Sequence, residues 1–201
     1  MLEVEGLCRP GLDPASFSLA AGECVMVRGA SGSGKSLLLR AIADLDPNEG
    51  SVRLDGVARE SMAGPQWRRR VSYLAAEPGW WAETVAEHFD TWPHLADDAQ
   101  RLLLPSGMGE QPVARLSTGE RQRLALLRSL ERRPSVLLLD EPTAALDQSA
   151  RDAVEALLAE RLAAGTAILW VSHDPGQCAR MARRSLVVEA GRVREEIPPG
   201  V

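Results

Sequence analysis

Hydrophobic residues along the chain fall into short, nearly continuous runs that alternate with longer stretches of helical periodicity. Two of the runs, VLLLD and AILWV, are apolar at successive positions, which is typical of strands buried on both faces of a sheet. The pattern predicts strands at 24–28, 51–55, 71–74, 136–140, 167–171 and 186–189. It predicts helices at 35–43, 118–131, 148–163 and 175–183. Such alternation favours an α/β fold built on a mostly parallel sheet.

Two parts of the chain depart from this alternation. Near the start, residues 2–5, 17–20 and 51–55 have the pattern of short antiparallel strands, which predicts a small antiparallel β subdomain. Between 77 and 115 the alternation stops, and Trp80, Trp81 and Trp92 occur there beside several prolines and a helical patch. We interpret 77–115 as a short helical lobe inserted between the core segments 1–76 and 116–201 of one domain.

The composition is that of an ordinary globular chain. Its 201 residues are 45% hydrophobic and 25% charged, values that exclude a disordered or collagen-like chain. No apolar run approaches the ~20 residues of a membrane-spanning helix, and we expect no secretory signal at the start. The net charge of -5 argues against nucleic acid as a partner. Three cysteines without CxxC spacing disfavour a zinc site and are compatible with a reducing cytoplasm.

Residues 29–36, GASGSGKS, carry the clearest candidate chemistry. They fit the phosphate-binding pattern G-x4-G-K-[ST] and lie between an apolar strand and an apolar helix. In such a loop the backbone N–H groups and the helix N-terminus bind phosphate oxygens, while the lysine reaches the β- and γ-phosphates and the last hydroxyl binds Mg²⁺. The candidate nucleotide-binding residues here are Gly29, Ala30, Ser31, Gly32, Ser33, Gly34, Lys35 and Ser36.

Lys35 is distinctive for a second reason. Of the 23 basic residues, 22 are arginine and Lys35 is the one lysine, which suggests that position 35 requires the compact ammonium group of lysine. A chain with a single lysine at this position also has no N-K-x-D motif of the guanine-specific proteins. We therefore expect an adenine nucleotide, or weak discrimination between bases.

Two acids end the apolar run at 136–140. Asp140 and Glu141 would lie at the carboxyl edge of a parallel sheet, where sites of such folds form. Adjacent strand residues face opposite ways, so the two acids have two roles available. Asp140 would hold Mg²⁺, and Glu141 would polarise an attacking water. The alternative is a pair of acids that cap the next helix.

Three further segments complete a recognisable set. LSTGE at 116–120 opens a helix, where Ser117 and Glu120 also fit a capping box; AALD occupies 144–147; and His173 follows the apolar run AILWV. In this order, together with GASGSGKS and VLLLDEP, they resemble the ATP-binding cassette (ABC) ATPases over essentially the whole chain.

The resemblance implies a P-loop NTPase fold of the ABC type and a head-to-tail dimer of two copies. ATP would lie between the phosphate loop of one copy and the signature segment of the other, where Ser117 and Gly119 would contact the γ-phosphate. His173 would act as a γ-phosphate sensor, and Asp147 would help to join the two sites. Lys35, Glu141 and His173 are the expected catalytic residues, with ATP and Mg²⁺ as cofactors.

Three positions differ from the family pattern. Ala76 stands where a magnesium-contacting glutamine is usual, and the neighbouring Glu77 is a candidate replacement ligand. The aromatic residue that stacks on adenine is missing, and Arg9 falls near its place, where a guanidinium plane would stack on the base. Thr118 replaces the first glycine of the signature segment.

Short cassettes of this kind resemble the ATP-binding subunits of transporters, which implies an integral membrane permease as partner and a peripheral position on the cytoplasmic face of the membrane. Trp80 and Trp81 would either line the permease groove or pack inside the lobe. Within the family the chain looks most like small bacterial iron exporters, with haem-exporting cassettes as the alternative. A soluble ABC ATPase and a P-loop kinase of small molecules are the competing functions.

Overall fold

The computed structural model describes residues 1–196, whose strands form two sheets. The larger sheet has six strands in the spatial order β10 (Arg192–Glu196), β9 (Arg184–Glu189), β3 (Cys24–Arg28), β8 (Ala167–Val171), β7 (Val136–Asp140) and β6 (Val71–Leu74). Neighbouring strands are parallel except at the edge, where β10 runs antiparallel to β9. The predicted mostly parallel core sheet is confirmed.

The smaller sheet contains four antiparallel strands in the order β2 (Leu12–Leu19), β1 (Leu2–Arg9), β4 (Glu49–Leu54) and β5 (Val57–Ala58). Strands β1 and β2 are longer than the predicted segments 2–5 and 17–20. The pairing of β1 with β2 shifts register between Val4 and Leu7, around Gly6 at a φ of 59°. This bulge interrupts the alternation of apolar and polar residues in β1. The interruption explains why the pattern predicted that β1 ends at residue 5.

The four predicted helices lie close to their predicted positions. They are α1 (Lys35–Ile42), α4 (Thr118–Leu130), α5 (Gln148–Ala163) and α6 (Pro175–Met181). Helix α2 (Gly64–Arg70) was not predicted, because its seven residues contain a single large apolar side chain. That residue, Trp67, is fully buried, and its indole N–H donates to the Ile42 carbonyl oxygen at 2.9 Å. Tertiary packing therefore stabilises this helix more than its local sequence does.

The segment between β6 and α4 is built mostly from single turns. It holds one short helix, α3 (Ala96–Arg101), and four 3₁₀ turns at Ala86–His88, Trp92–Leu95, Met108–Glu110 and Val113–Arg115. Leu102, Leu104 and Met108 are buried there and join the core formed by α4 and α5. The lobe predicted at 77–115 therefore consists mainly of 3₁₀ turns and contains one short α-helix.

Alternate residues of the parallel strands face two different hydrophobic layers. In β7, Val136 and Leu138 pack with α1 and the antiparallel sheet, whereas Leu137 and Leu139 pack with the lobe, α4 and α5. The same alternation decides which layer each residue at a strand end approaches. Across residues 1–196 we find no helix with the length and apolar character needed to cross a membrane.

Candidate functional site

Three neighbouring parallel strands deliver the predicted catalytic segments to one edge of the larger sheet. The phosphate loop at 29–36 follows β3, Glu141 follows β7, and His173 comes two residues after β8, which lies between the other two. Because these strands are parallel, their carboxyl ends share that edge. Segments more than 100 residues apart in sequence are therefore brought together by topology alone.

The phosphate loop has the backbone of an anion cradle. A side chain at Gly29 is impossible, since a Cβ there would lie 2.2 Å from the Val188 carbonyl oxygen. Helix α1 begins after Gly34, which has a φ of 112° and offers no side-chain cap, so the first N–H groups of the helix are available to a ligand. This arrangement fits a bound phosphate chain.

Lys35 fills the centre of this loop. The side chain is 7% exposed, and its Nζ donates to the carbonyl oxygens of Gly29 and Ala30, each at 2.9 Å. The ammonium is thus held inside the loop by two weak acceptors that a phosphate oxygen can replace. Ser36 is exposed at the start of α1, with its hydroxyl at the helix end where a metal-bound phosphate would approach.

Asp140 is a buried carboxylate, 4% exposed, on the α1 face of β7. Its Oδ2 accepts a hydrogen bond from the Tyr73 hydroxyl of the neighbouring strand β6 at 3.1 Å. Burial raises the pKa of Tyr73 well above its usual range, and the charge of Asp140 adds to the effect. The phenol is therefore protonated at neutral pH and acts as a donor. Sequence reasoning missed Tyr73. This residue pairs with Leu138 of β7, two residues before Asp140, and that position was a usable signal.

Glu141 lies where the chain leaves β7. Its φ is 50°, and its backbone N–H donates to the Val171 carbonyl oxygen at 3.1 Å, which holds the residue in this uncommon conformation. The side chain lines a cleft of about 380 Å³, and its Oε1 accepts from His173 Nε2 at 3.1 Å. The structure therefore brings the expected general base and the expected sensor into direct contact.

A buried polar network supports the loop that carries His173, and it was not predicted. Gln177 is fully buried, and its Oε1 accepts from the hydroxyls of Ser172 and Thr143 at 2.7 and 3.2 Å. Its amide nitrogen donates to Glu155 at 2.9 Å. Hydrogen bonds from Arg180, then from Gln177, lower the pKa of Glu155 below its ordinary value. Since each partner is satisfied, the network restrains the loop around His173.

The signature segment forms the capping box that its sequence predicts. Ser117 Oγ accepts from the Glu120 backbone N–H at 3.2 Å, and Glu120 Oε2 accepts from the Ser117 backbone N–H at 2.8 Å. The Ser117 hydroxyl also donates to the same Glu120 oxygen at 2.7 Å. These bonds lower the pKa of Glu120 below its usual value. The N-terminus of α4 is exposed to solvent at Ser117 and Thr118.

Asp147 and Gly119 lie near one another but are not joined to the phosphate loop. Asp147 caps α5 by accepting from the Ala150 backbone N–H at 2.8 Å, and a Cβ at Gly119 would lie 3.4 Å from the Ala145 carbonyl oxygen. Within residues 1–196, no hydrogen bond or ion pair connects Ser117, Gly119 or Asp147 to the loop at 29–36. One chain thus presents two separate half-sites.

Arg9 lies at the end of β1, beside the turn that abuts the phosphate loop. A Cβ at Gly34 would lie 3.3 Å from the carbonyl oxygen of Gly11 in that turn. The Arg9 guanidinium donates to Asp46, which also binds Arg40 through two hydrogen bonds of 2.7 Å. The adenine-stacking role of Arg9 stays a prediction, and any base would meet a guanidinium already fixed by Asp46.

The ion-pair cluster at Asp46 leads to a pH prediction. Hydrogen bonds from Arg40, then from Arg9, lower the pKa of Asp46 to about 2. A lowered pKa adds stability above the unfolded value of ~3.9 that is lost as the pH falls through the folded value. We expect Asp46→Asn to lower the free energy of unfolding at pH 7, and the deficit to shrink between pH 4 and pH 2. Urea unfolding at several pH values measures it, with the exposed Asp13→Asn as control; a deficit independent of pH would contradict the prediction.

Ala76 and Glu77 follow β6 in an exposed bend. Ala76 offers no side-chain oxygen, and Glu77 takes part in no ion pair within the part of the chain that the structure describes. Its role as a metal ligand stays a prediction. Over residues 1–196, no group of three or more His, Cys, Asp or Glu side chains could hold a metal by itself. Mg²⁺ is normally held by few carboxylates together with substrate phosphates, so this donor set fits a metal that arrives with a nucleotide.

An aromatic cluster joins the start of the lobe to α4. The Arg128 guanidinium carbon lies 4.8 Å from the ring centre of Trp80 and 4.7 Å from that of Trp81, and His88 packs against both rings. We call these four residues the tryptophan clamp. Trp80 is partly buried against the core, as expected for packing inside the lobe, whereas Trp81 is 72% exposed, and its contact with a permease stays a prediction.

His88 is structural rather than surface-exposed. Its Nε2 accepts from the backbone N–H groups of Trp81 and Ala82 at 2.9 and 3.0 Å, and its Nδ1 lies 2.9 Å from the Thr84 carbonyl oxygen. A nitrogen that accepts two bonds carries no proton, so the ring is neutral with its hydrogen on Nδ1. His88 therefore fixes the loop that presents Trp81. His94 is exposed in the lobe.

Comparison with known proteins gives one family. The family model described as ABC transporter matches residues 12–144. This segment contains the phosphate loop, the signature segment, Asp140 and Glu141. The resemblance inferred from the motifs is thereby confirmed.

Two curated relatives have iron-related names. The probable iron export ATP-binding protein FetA of Escherichia coli is 36% identical over 81% of this chain and 78% of its own length. The Fe(3+) ions import ATP-binding protein FbpC of Streptomyces coelicolor is 37% identical over 95% of this chain. The chain spans 58% of the length of FbpC.

A solved structure with the same fold covers the whole chain. It is described as a dimeric post-hydrolysis state of an ATP-binding cassette bound to ADP and Pi, and it superposes with a TM-score of 0.86 over 100% of both chains. At 24% sequence identity this likeness establishes the fold.

Proposed function

The chain belongs to the ABC transporter family of ATP-binding proteins, and on that premise we propose that it hydrolyses ATP to ADP and phosphate and so drives a separate membrane permease. The observation that carries the proposal is the contact between Glu141 and His173 at the sheet edge that also bears the phosphate loop. A carboxylate base beside an anion cradle is the arrangement that hydrolysis of a phosphoanhydride requires.

In the proposed reaction the loop 29–36 binds the β- and γ-phosphates through backbone N–H groups, and Lys35 exchanges its bonds to Gly29 and Ala30 for phosphate oxygens. Ser36, Asp140 and Glu77 would hold Mg²⁺, which when bound neutralises the charge of the phosphates. Glu141 accepts a hydrogen bond from the attacking water and polarises it. His173 donates from Nε2 to Glu141 and would contact the γ-phosphate as a sensor.

We propose that the complete site needs a second copy of the chain, arranged head to tail. The support is that Ser117, Gly119 and Asp147 form an exposed half-site with no bond to the phosphate loop of the same chain. In the dimer the N-terminus of α4 would meet the γ-phosphate bound by the other copy. ATP binding would close the dimer, and hydrolysis would reopen it.

We place the permease contact at the tryptophan clamp, on the cytoplasmic side of the membrane. Trp81 is the most exposed large apolar side chain of the described residues, and Arg128 Nη1 and Trp80 Nε1 are buried there without acceptors within residues 1–196. These features favour a partner segment that offers an apolar side chain together with a carboxylate or carbonyl oxygen. Iron is the proposed cargo and export the proposed direction, on the basis of the resemblance to FetA.

The hydrolysis is tested by phosphate release from ATP with no acceptor substrate present. We expect release that requires Mg²⁺ and is unaffected by added DNA or ribosomes. ADP formation that requires a small-molecule acceptor, without release of inorganic phosphate, would instead indicate a kinase. Stimulation by nucleic acid would favour a soluble ABC ATPase that acts on those polymers.

The permease contact leads to a second prediction. Trp81→Ala should weaken binding to the permease by about thirtyfold, because truncating a central interface tryptophan costs about 2 kcal/mol or more. Phosphate release by the isolated chain should not change, since Trp81 lies outside the site. Val57→Ala, which truncates an exposed apolar side chain on the antiparallel sheet, is the matched control. Binding of detergent-solubilised permease to immobilised protein measures the effect, and equal binding by Trp81→Ala and Val57→Ala would refute the assignment.

A further inference from the structure

Tyr73 contacts Asp140, a buried carboxylate at the edge of the sheet that bears the proposed catalytic residues. Strand β6 pairs with β7 so that Tyr73 lies opposite Leu138, and both side chains belong to the hydrophobic layer on the α1 side. Asp140 is two residues beyond Leu138 and therefore faces the same layer. The register thus aims the phenol at the carboxylate, and the hydroxyl reaches Oδ2 at 3.1 Å.

The Asp140 carboxylate has few other restraints. Within residues 1–196, no second side chain donates a hydrogen bond to it, and Lys35 directs its ammonium to the loop carbonyls instead. A buried carboxylate with one donor is held in one orientation by that donor. Since Tyr73 occupies Oδ2, Oδ1 is the oxygen left for a metal.

We propose that Tyr73 is a positioning residue, which orients Asp140 so that the carboxylate binds the metal of a metal–nucleotide complex through Oδ1. This inference rests on the proposed function, because it deepens the role given there to Asp140. Ala76 supplies no oxygen beside the site, so the chain depends more on the orientation of the carboxylate that it retains. Hydrogen bonds to metal-binding groups typically change metal affinity about 10- to 100-fold.

The first test measures metal affinity rather than turnover. Tyr73→Phe removes the hydroxyl alone, and Mn²⁺ with a non-hydrolysable ATP analogue serves as the probe, followed by electron paramagnetic resonance. We expect Mn²⁺ to bind the Tyr73→Phe protein about 10- to 100-fold more weakly. Affinity for the analogue in EDTA should change less than about twofold, because no phosphate contact is lost. Ser72→Ala, which removes the adjacent hydroxyl of β6 on the other face of the sheet, is the control.

A double-mutant cycle separates positioning from general damage. In an Asp140→Asn background, Tyr73→Phe should produce no further loss of Mn²⁺ affinity, because the carboxylate that Tyr73 orients is no longer present. Equal losses in both backgrounds, or unchanged Mn²⁺ affinity in Tyr73→Phe alone, would overturn the proposal. Failure of the wild-type protein to bind Mn²⁺ with the analogue would instead overturn the proposed function.

A spectroscopic test avoids substitution. Tyr73 is the single tyrosine of the chain, so 3-fluorotyrosine introduced biosynthetically gives one ¹⁹F resonance. Adding Mg²⁺ to the protein with bound analogue should shift that resonance, and the shift should be absent from Asp140→Asn. A resonance that is insensitive to Mg²⁺ in the wild-type protein would contradict contact between the phenol and a metal-binding carboxylate.

Discussion

Replacing Glu141 by glutamine should slow phosphate release about 10²- to 10⁴-fold, the range expected when a general base is lost. Glutamine keeps the size of the side chain, and its carbonyl oxygen can still accept from His173 Nε2 at the position where Glu141 Oε1 lies at 3.1 Å. ATP affinity should therefore change little. The blocked protein should accumulate as an ATP-bound dimer, because binding proceeds while hydrolysis does not. Phosphate release and size-exclusion chromatography with ATP measure the two effects.

The control for this substitution is Glu189→Gln, which neutralises an exposed acid at the end of β9. It should leave both readouts at the wild-type level. If Glu141→Gln released phosphate as fast as Glu189→Gln, Glu141 would not be the base. A dimer absent from Glu141→Gln with ATP, despite slow release, would leave the base assignment intact and contradict the proposed closure.

Replacing Lys35 by alanine should weaken ATP binding about 10- to 100-fold, since hydrogen bonds from a charged group contribute about 1.5–3 kcal/mol. Lys35→Arg keeps the charge and should fail to restore affinity. The loop encloses the ammonium between two carbonyl oxygens at 2.9 Å, whereas a guanidinium is larger and planar and cannot reproduce the contacts of a compact ammonium. Isothermal titration with ATP measures binding, and full affinity in Lys35→Arg would contradict the need for a compact cation.

Lys35 also allows a footprint on the unaltered protein. It is the single ε-amine of the chain, so acetylation of this side chain, which the peptide mass distinguishes from acetylation of the N-terminal amine, reports on the loop. ATP should protect Lys35 from acetic anhydride, as read by mass spectrometry, because the phosphate chain covers the ammonium. An acetylation rate that ATP does not change would contradict the assigned contact.

The sequence predicted the parallel sheet well because its central strands are buried on both faces. Strands β3, β6, β7 and β8 begin and end at the predicted residues. In β7 and β8 the continuous apolar runs leave little choice of boundary. The pattern was less informative where tertiary contacts decide the structure. Helix α2 depends on one buried tryptophan, and β1 continues through a bulge that breaks its alternation.

The motifs located the main candidate residues but not their supports. Lys35, Asp140, Glu141 and His173 occupy adjacent positions along one sheet edge, as their order after successive strands suggested. Gln177 and Tyr73 belong to no motif and act through partners that are distant in sequence. His88 also belongs to no motif and acts through backbone groups of its own loop. Their importance follows from burial and hydrogen bonding, which a single sequence does not display.

The capping box of α4 has a consequence for how tightly two copies can hold together. Ser117 and Glu120 already satisfy one another in the isolated chain, with the carboxylate lying against the helix end. A triphosphate carried by a second copy would therefore compete with the Glu120 carboxylate for the hydroxyl and backbone N–H of Ser117. Such competition would reduce the net free energy gained when the dimer closes. A dimer of this limited stability can dissociate again in every cycle of hydrolysis.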